Sequence, residues 1–267
     1  MSDVRRVELA GGGFSCVHVL GERDAPVIAL VPPLGMPSEV LSPFAARLAT
    51  TLRVISVDLP GTGSASGARA GWTTRDLGDA LVESLEAAGI ERAHLFGISL
   101  GGMVAQWAAI GSDRFDSVVL ASTAAHGIDA ALADPIGKLA LARRLLAADP
   151  GKSLTRGIVS PHVRHDAGAM QRIESAIEEH PRDTEDLVWL AAAAARHDAR
   201  AELPSLRAPV LVVSGRNDTL VPPALQDELH ALIPGARRAW IEDAGHDVTL
   251  DQPTRTADAV LAFVASL

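Results

Sequence analysis

Tyrosine is absent from this 267-residue chain, and four tryptophans and five phenylalanines are all that supply its aromatic content of 3%. Cysteine occurs once, at Cys16, so no internal disulfide can form, and its strand-like surroundings mark it as a small buried hydrophobe. Long apolar runs are also missing. A stretch such as Trp189–Ala195 falls far short of the roughly 20 apolar residues that a membrane span needs. Met1 to Arg6 is polar and no apolar leader follows, so the chain reads as cytoplasmic, with no membrane partner. Positive charge is in short supply, with 24 Lys and Arg against 33 Asp and Glu, for a net charge of −9. A nucleic-acid partner or an anionic lipid surface is thereby disfavoured.

What remains is ordinary for a soluble globular protein: 48% hydrophobic and 21% charged residues. That suffices for one large α/β domain or for a core with an insertion. Val4 to Leu9 and Phe14 to Leu20 read as two strands joined by Gly11-Gly12-Gly13. Val27–Val31 is a continuous apolar run, the pattern of a strand buried on both faces, closed by Pro32 and Pro33. Ser42 to Leu48 can be helical, and Leu52 to Val57 is another buried strand. Thr73 to Ala88 carries a helical stripe at Leu77, Leu81, Val82 and Leu85, stopped by Gly89. Then come the strand Ala93 to Phe96, a helix from Met103 to Ile110 and the strand Val118–Ala121. Regular alternation of this kind implies a parallel sheet with helices on both faces.

The rhythm breaks over 124–203, where the patterning is helical throughout, at Ile136 to Ala147, Met170 to Glu178 and Thr184 to Arg196. Alternation resumes with the buried strand Val210–Val213, a Pro222 to Leu232 helix, the strand Ala239–Ile241 and a last helix from about Gln252 to Ser266. The expected organisation is a core of residues 1–123 and 204–267, with 124–203 inserted after the sixth strand as a helical cap over the sheet's C-terminal edge. Ligands of open α/β sheets bind at that edge.

Chemistry concentrates at Gly97-Ile98-Ser99-Leu100-Gly101, set between an apolar strand and a helical pattern. Glycines at 97 and 101 leave room where backbone crosses the turn, and Ser99 is expected in a strained left-handed conformation. Its hydroxyl would stand above the sheet at a helix N-terminus. A serine hydroxyl is a poor nucleophile until a base takes its proton, and the base needs an orienting acid. Two other strand ends offer them. Asp218 follows the Val210 strand and His246 follows the strand ending at Ile241. Asp218 also suits a turn or the cap of the Pro222 helix, and Asp243 is a rival acid three residues before His246. The oxyanion of an acyl transfer needs preorganised N–H donors. Leu100 N–H follows the serine directly, and Leu34 N–H is the sensible donor in Pro32-Pro33-Leu34-Gly35-Met36, since proline has none.

His162 and His165 have an i, i+3 spacing that suits a metal, but no further ligand stands nearby in sequence, so a solvated pair is expected and no metal. His126, just past the Val118 strand, suits either a pocket or a surface loop. Leu34, Met36, Leu100 and Trp189 suggest a partly hydrophobic pocket for a small molecule. Arg143, Arg144, Arg156 and Arg164 of the cap suit a substrate carboxylate, but solvated positions are expected for them.

The order Ser99, Asp218, His246, the loop Asp58-Leu-Pro-Gly-Thr-Gly-Ser64, and Gly245-His246 with Gln252-Pro253 together resemble the α/β-hydrolase superfamily across the whole core. Within it, Gly97–Gln106 and Leu120–Ala125 are most similar to 3-oxoadipate enol-lactonases and their esterase relatives. The resemblance implies an α/β-hydrolase fold and a cofactor-free serine hydrolase acting on a small ester or lactone. Carbon–carbon bond hydrolysis, thioester hydrolysis, acyl transfer and cofactor-free perhydrolysis use the same groups. A non-hydrolytic ligand-binding protein is the reading from a different class.

Overall fold

A computed structural model describes residues 3–127, 159–180 and 183–267. Eight strands form one sheet in the order β1-β2-β4-β3-β5-β6-β7-β8. The strands are β1 (Asp3–Glu8), β2 (Phe14–Leu20), β3 (Val27–Val31), β4 (Arg53–Asp58), β5 (Ala93–Ile98), β6 (Phe115–Ala121), β7 (Val210–Gly215) and β8 (Arg237–Ile241). β1 and β2 form the expected antiparallel hairpin, and β2 runs antiparallel to β4. All other neighbours are parallel. The C-terminal ends of β3, β4, β5, β6, β7 and β8 therefore share one edge of the sheet.

Continuous apolar strands supply two cores by alternation. Ala29, Val31, Leu95, Val118, Leu120, Val210 and Val212 face one layer, which is closed by α2 (Thr74–Ala87), α3 (Leu100–Gly111) and α7 (Pro223–Leu232). Ile28, Leu30, Phe96, Ile98, Val119, Leu211 and Val213 face the other, under α1 (Ser42–Leu48), α8 (Val248–Asp251) and α9 (Pro253–Val264). This is the α/β-hydrolase fold the sequence implied. Local chemistry sets several boundaries. Thr73 and Asp76 form a reciprocal capping box at the start of α2. α3 begins at Leu100, three residues before the Met103 that periodicity suggested, because packing overrides the weak helix propensity of Gly101 and Gly102.

Between β6 and β7 the described residues form α4 (Pro161–His165), α5 (Ala167–Glu179) and α6 (Thr184–Ala195). The stretch Ile136 to Ala147 lies outside the described residues, as do Arg143, Arg144 and Arg156. Val163 of α4 and Ile173 and Ile177 of α5 join the core under α1, whereas Leu190 and Ala194 of α6 join the opposite one. The inserted helices thus reach both layers. Among the described residues, no helix is long and apolar enough to cross a membrane. Cys16 is free and buried in β2.

Candidate active site

Ser99 stands where β5 meets α3, at φ 55° and ψ −119°. Positive φ in a residue with a Cβ costs on the order of 1–3 kcal/mol, so its neighbours must enforce it. They do so by bonding and by crowding. Ser99 N–H donates to Ala121 O over 3.0 Å, while Ser99 O accepts from Gly102 N–H, Met103 N–H and the Thr123 hydroxyl. A Cβ on Gly97 would lie 2.2 Å from Gly101 O, one on Gly101 2.2 Å from Val31 O, and one on Gly102 2.6 Å from Thr123 Cβ. The three glycines exist because three chain segments converge on this turn.

The other two residues come from the ends of β7 and β8. His246 Nε2 lies 3.0 Å from Ser99 Oγ, and His246 Nδ1 lies 3.0 Å from Asp218 Oδ2 and 3.2 Å from Oδ1. An ionised carboxylate can only accept, so Nδ1 carries the proton and Nε2 accepts from the serine hydroxyl. All three residues are buried. Asp218 is aimed by Leu220 N–H and Val221 N–H, each 2.9 Å from Oδ1, and by the Gln226 side chain at 3.2 Å from Oδ2. It is a turn residue and the imidazole's partner at once. Asp243, the rival acid, is exposed and sits 3.8 Å from Arg255.

Burial disfavours charge on His246, but Asp218 at contact, with Asp247 and Asp251 nearby, outweighs it and holds the imidazole above its ordinary value. Asp247 is itself buried, which pushes its carboxyl up despite hydrogen bonds from Thr249 and Leu250. Two glycines let the acid and base loops touch. A Cβ on Gly215 would meet Gly245 O at 2.0 Å, and Asn217 N–H donates to Ala244 O over 2.9 Å. A hydroxyl bonded to an imidazole whose far nitrogen rests on a carboxylate can surrender its proton as the oxygen attacks an electrophile.

Leu100 opens α3, so its N–H has no intrahelical acceptor and faces the turn that carries Ser99. Leu34 lies in the turn after β3, half-buried against the core. Leu190, rather than its neighbour Trp189, reaches the elbow: with Pro32, Leu59, Thr62, Leu100 and Gly101 it lines a small pocket. Trp189 is half-buried on α6, with its indole N–H on Glu185. Met36 is buried in the core against α1, and His126 is buried with Nε2 3.2 Å from Glu228 of α7. His165 and Arg164 are exposed on α4.

Polar contacts that local sequence patterns do not register fasten the inserted helices. His180, at the end of α5, places Nδ1 3.0 Å from Ser64 Oγ and Nε2 3.2 Å from Glu39 Oε1. Ser160, before α4, donates its N–H to Asp251. Asp251, which the sequence places in a loop, and Gln226, on an amphipathic helix, give no signal because a lone carboxylate or amide in such a place looks solvated. Their partners lie on other elements. One group among the described residues, His18, Glu39 and Asp58, brings potential metal-ligand atoms within 4.8 Å of one another. The His18 ring spends Nε2 on Asp58 at 3.1 Å and turns Nδ1 toward Glu39 at 3.8 Å, the geometry of a bridging imidazole rather than of converging ligands.

Comparison with known proteins agrees with this architecture. The model of the alpha/beta hydrolase family matches residues 28–259, and the chain belongs to that family. It is 26% identical over 279 residues to 3-oxoadipate enol-lactonase 1 of Acinetobacter baylyi, covering 100% of both chains. It is 32% identical over 277 residues to polyketide synthase ThaQ of Burkholderia thailandensis, but that match spans 97% of this chain and 12% of the larger protein. The crystal structure of a hydrolase from Pseudomonas aeruginosa PA01 superposes with a TM-score of 0.86 at 26% identity, over 98% of each chain.

Proposed function

We propose that the protein is a serine hydrolase that cleaves a small carboxylic ester or lactone through an acyl-enzyme on Ser99, with residues 124–203 as a cap over the site. The observation that carries this reading is the chain of hydrogen bonds from Asp218 through His246 to Ser99, 3.0 Å at each link. The full-length similarity to an enol-lactonase supports the substrate class.

Ser99 Oγ attacks the acyl carbon as its proton passes to His246 Nε2, and the carbonyl π electrons move onto oxygen. That oxyanion is held by Leu100 N–H at the start of α3, where the helix dipole adds to the donor, and by Leu34 N–H. The tetrahedral intermediate collapses and expels the alkoxide, which takes the proton from His246. In a lactone the alkoxide stays tethered to the acyl group. Water then attacks the ester carbon, gives its proton to His246, and Ser99 leaves with that proton. Asp218 keeps the imidazole in the tautomer that accepts at Nε2 and stabilises its charged form. Leu34 and Leu100, the residues assigned to the oxyanion, also give the acyl group apolar surroundings in this mechanism.

A fluorophosphonate probe and a panel of nitrophenyl esters, lactones and thioesters test the reading. The probe mass is expected on the Ser99 peptide, with esters or lactones turned over and Ser99→Ala inactive. Full hydrolysis by Ser99→Ala would overturn it, and thioesters turning over in place of esters would reassign the substrate.

A further inference from the structure

The last residue of α8 is Asp251, a buried carboxylate whose two oxygens go to two different parts of the molecule. Oδ2 accepts from Gly245 N–H at 2.7 Å, the residue immediately before His246. Oδ1 accepts from Ser160 N–H at 2.9 Å, one residue before α4 of the inserted helices. Among the described residues no lysine or arginine pairs with Asp251, and one backbone donor meets each of its oxygens. Buried charges persist only where such bonds replace water. The corner is tight as well as polar. A Cβ on Gly245 would stand 3.3 Å from Asp251 Oδ2, 3.8 Å from Asn217 O in the Asp218 loop, and 3.9 Å from Ser160 Cβ. Acid loop, base loop and inserted helices therefore meet at Gly245, and Asp251 is the group bonded to both of the latter two.

We infer that Asp251 is a positioning residue that makes docking of α4 and placement of His246 a single event. The inference rests on the proposed role of His246 as base. With the Ser160 bond made, the carboxylate is fixed on both oxygens and presents Oδ2 at one place, which holds the Gly245 N–H and the imidazole that follows. With it broken, the carboxylate can rotate, and the base loop gains freedom just where sub-ångström placement governs the rate. Docking of α4 at Ser160 is thereby transmitted to the base loop.

Ser160 offers a test that leaves every charge in place. Its φ of −62° suits proline, which has no N–H to give Asp251. Ser160→Ala keeps that N–H and loses only the side-chain cap on Val163 N–H, so it is the control. Relative to Ser160→Ala, Ser160→Pro is expected to lower kcat about 10-fold with less change in KM, and to speed amide exchange at Gly245. Asp251→Asn, whose amide would aim a donor at one of the two N–H groups, is expected to lower kcat about 10- to 100-fold. Ser160→Pro matching Ser160→Ala in both kcat and Gly245 exchange would overturn the coupling, even if Asp251→Asn were impaired through charge or folding. Gly245 exchange is read by NMR without substrate. An error in the Ser99 assignment thus shows as Ser99→Ala turning over with the exchange effect intact, whereas an error here shows as unchanged exchange with Ser99-dependent turnover intact.

Discussion

The Thr123 hydroxyl donates to the carbonyl oxygen of Ser99 over 2.8 Å, tying the loop after β6 to a serine held at positive φ. That bond is to the serine's backbone carbonyl, while its hydroxyl is left to His246. Thr123→Val removes it while keeping the shape, and leaves Ser99 O with only the Gly102 and Met103 donors. Stability should fall by about 1 kcal/mol, the usual net worth of one such bond. The turn should also relax away from its strained geometry, lowering kcat several-fold. Thr123→Ser keeps the donor and should retain kcat closer to wild type. Urea melts and ester turnover on both variants check this, and equal kcat in the two would refute the bond's role in shaping the turn.

Glycine chemistry along α3 gives a contrasting pair. Gly101→Ala would place a methyl 2.2 Å from Val31 O and 2.6 Å from Pro32 O, both fixed backbone at the end of β3. No rotamer relieves a Cβ clash, so the variant should lose more than about 3 kcal/mol or fail to accumulate as folded protein. Gly111 closes the same helix, and a Cβ there meets nothing within 4 Å. Gly111→Ala should raise stability by about 0.4–1 kcal/mol through the unfolded state. Thermal melts compare the two directly, and a Gly101→Ala protein that melts with wild type would discredit the crowding account.

Much of the fold and the elbow is legible in the sequence, for physical reasons. Val27–Val31 and Val210–Val213 are apolar at every position because both their faces are covered, and that is visible in any short window. The elbow is readable because crowding by Val31, Gly101 and Thr123 demands glycine at fixed offsets from one serine. Asp251 is a different matter. Its partner Ser160 lies 91 residues away and contributes a backbone N–H, which leaves no side-chain signature. His180 meets Ser64 side chain to side chain across 116 residues, a separation that no local window spans. Periodicity reports which face of an element is buried, whereas the choice of a distant polar partner is settled only when the chain folds.

Burial works against charge on the His246 ring, yet Asp218 against Nδ1, with Asp247 and Asp251 behind it, holds that ring above its ordinary value. In the proposed mechanism His246 must be neutral to accept the serine proton. Activity should therefore rise with pH through a midpoint above about 6.5, the ordinary imidazole value. Asp218→Asn removes the negative charge that lies closest to the ring and most favours its protonated form. It should move that midpoint down while cutting kcat by about 10³–10⁴-fold, because the tautomer is no longer held. The pH dependence of kcat/KM for both proteins checks the pair of effects, and an Asp218→Asn midpoint at or above the wild-type one would contradict it.

His197, shifted in the opposite direction to His246, supplies a pH effect on stability. It is buried between α2, α3 and the end of α6, with Nδ1 2.8 Å from Thr74 Oγ1 and Nε2 3.3 Å from Gln106 Oε1. Burial, helped by His126 and only partly offset by Asp198, pushes its imidazole down to about 4. At pH 5 the native ring is neutral while the unfolded chain's ring, titrating near 6.5, is mostly charged. The unfolded state then binds more protons, so this group's stability is full above about 6.5 and drains away as pH falls toward 4, by up to about 1.4 kcal/mol per pH unit. His18 works the other way: although burial opposes it, Asp58 and Glu39 hold that ring above its ordinary value, so its contribution is full in acid and fades as pH rises through the raised value. Comparing wild type with His197→Asn cancels His18 and isolates the first effect. The variant should be less stable at pH 7, where it loses packing and hydrogen bonds, and the gap should narrow by about 1–2 kcal/mol on going to pH 5. Urea denaturation at the two pH values measures it, and a gap that stays constant or widens in acid would show that His197 is not the neutral buried ring its surroundings require.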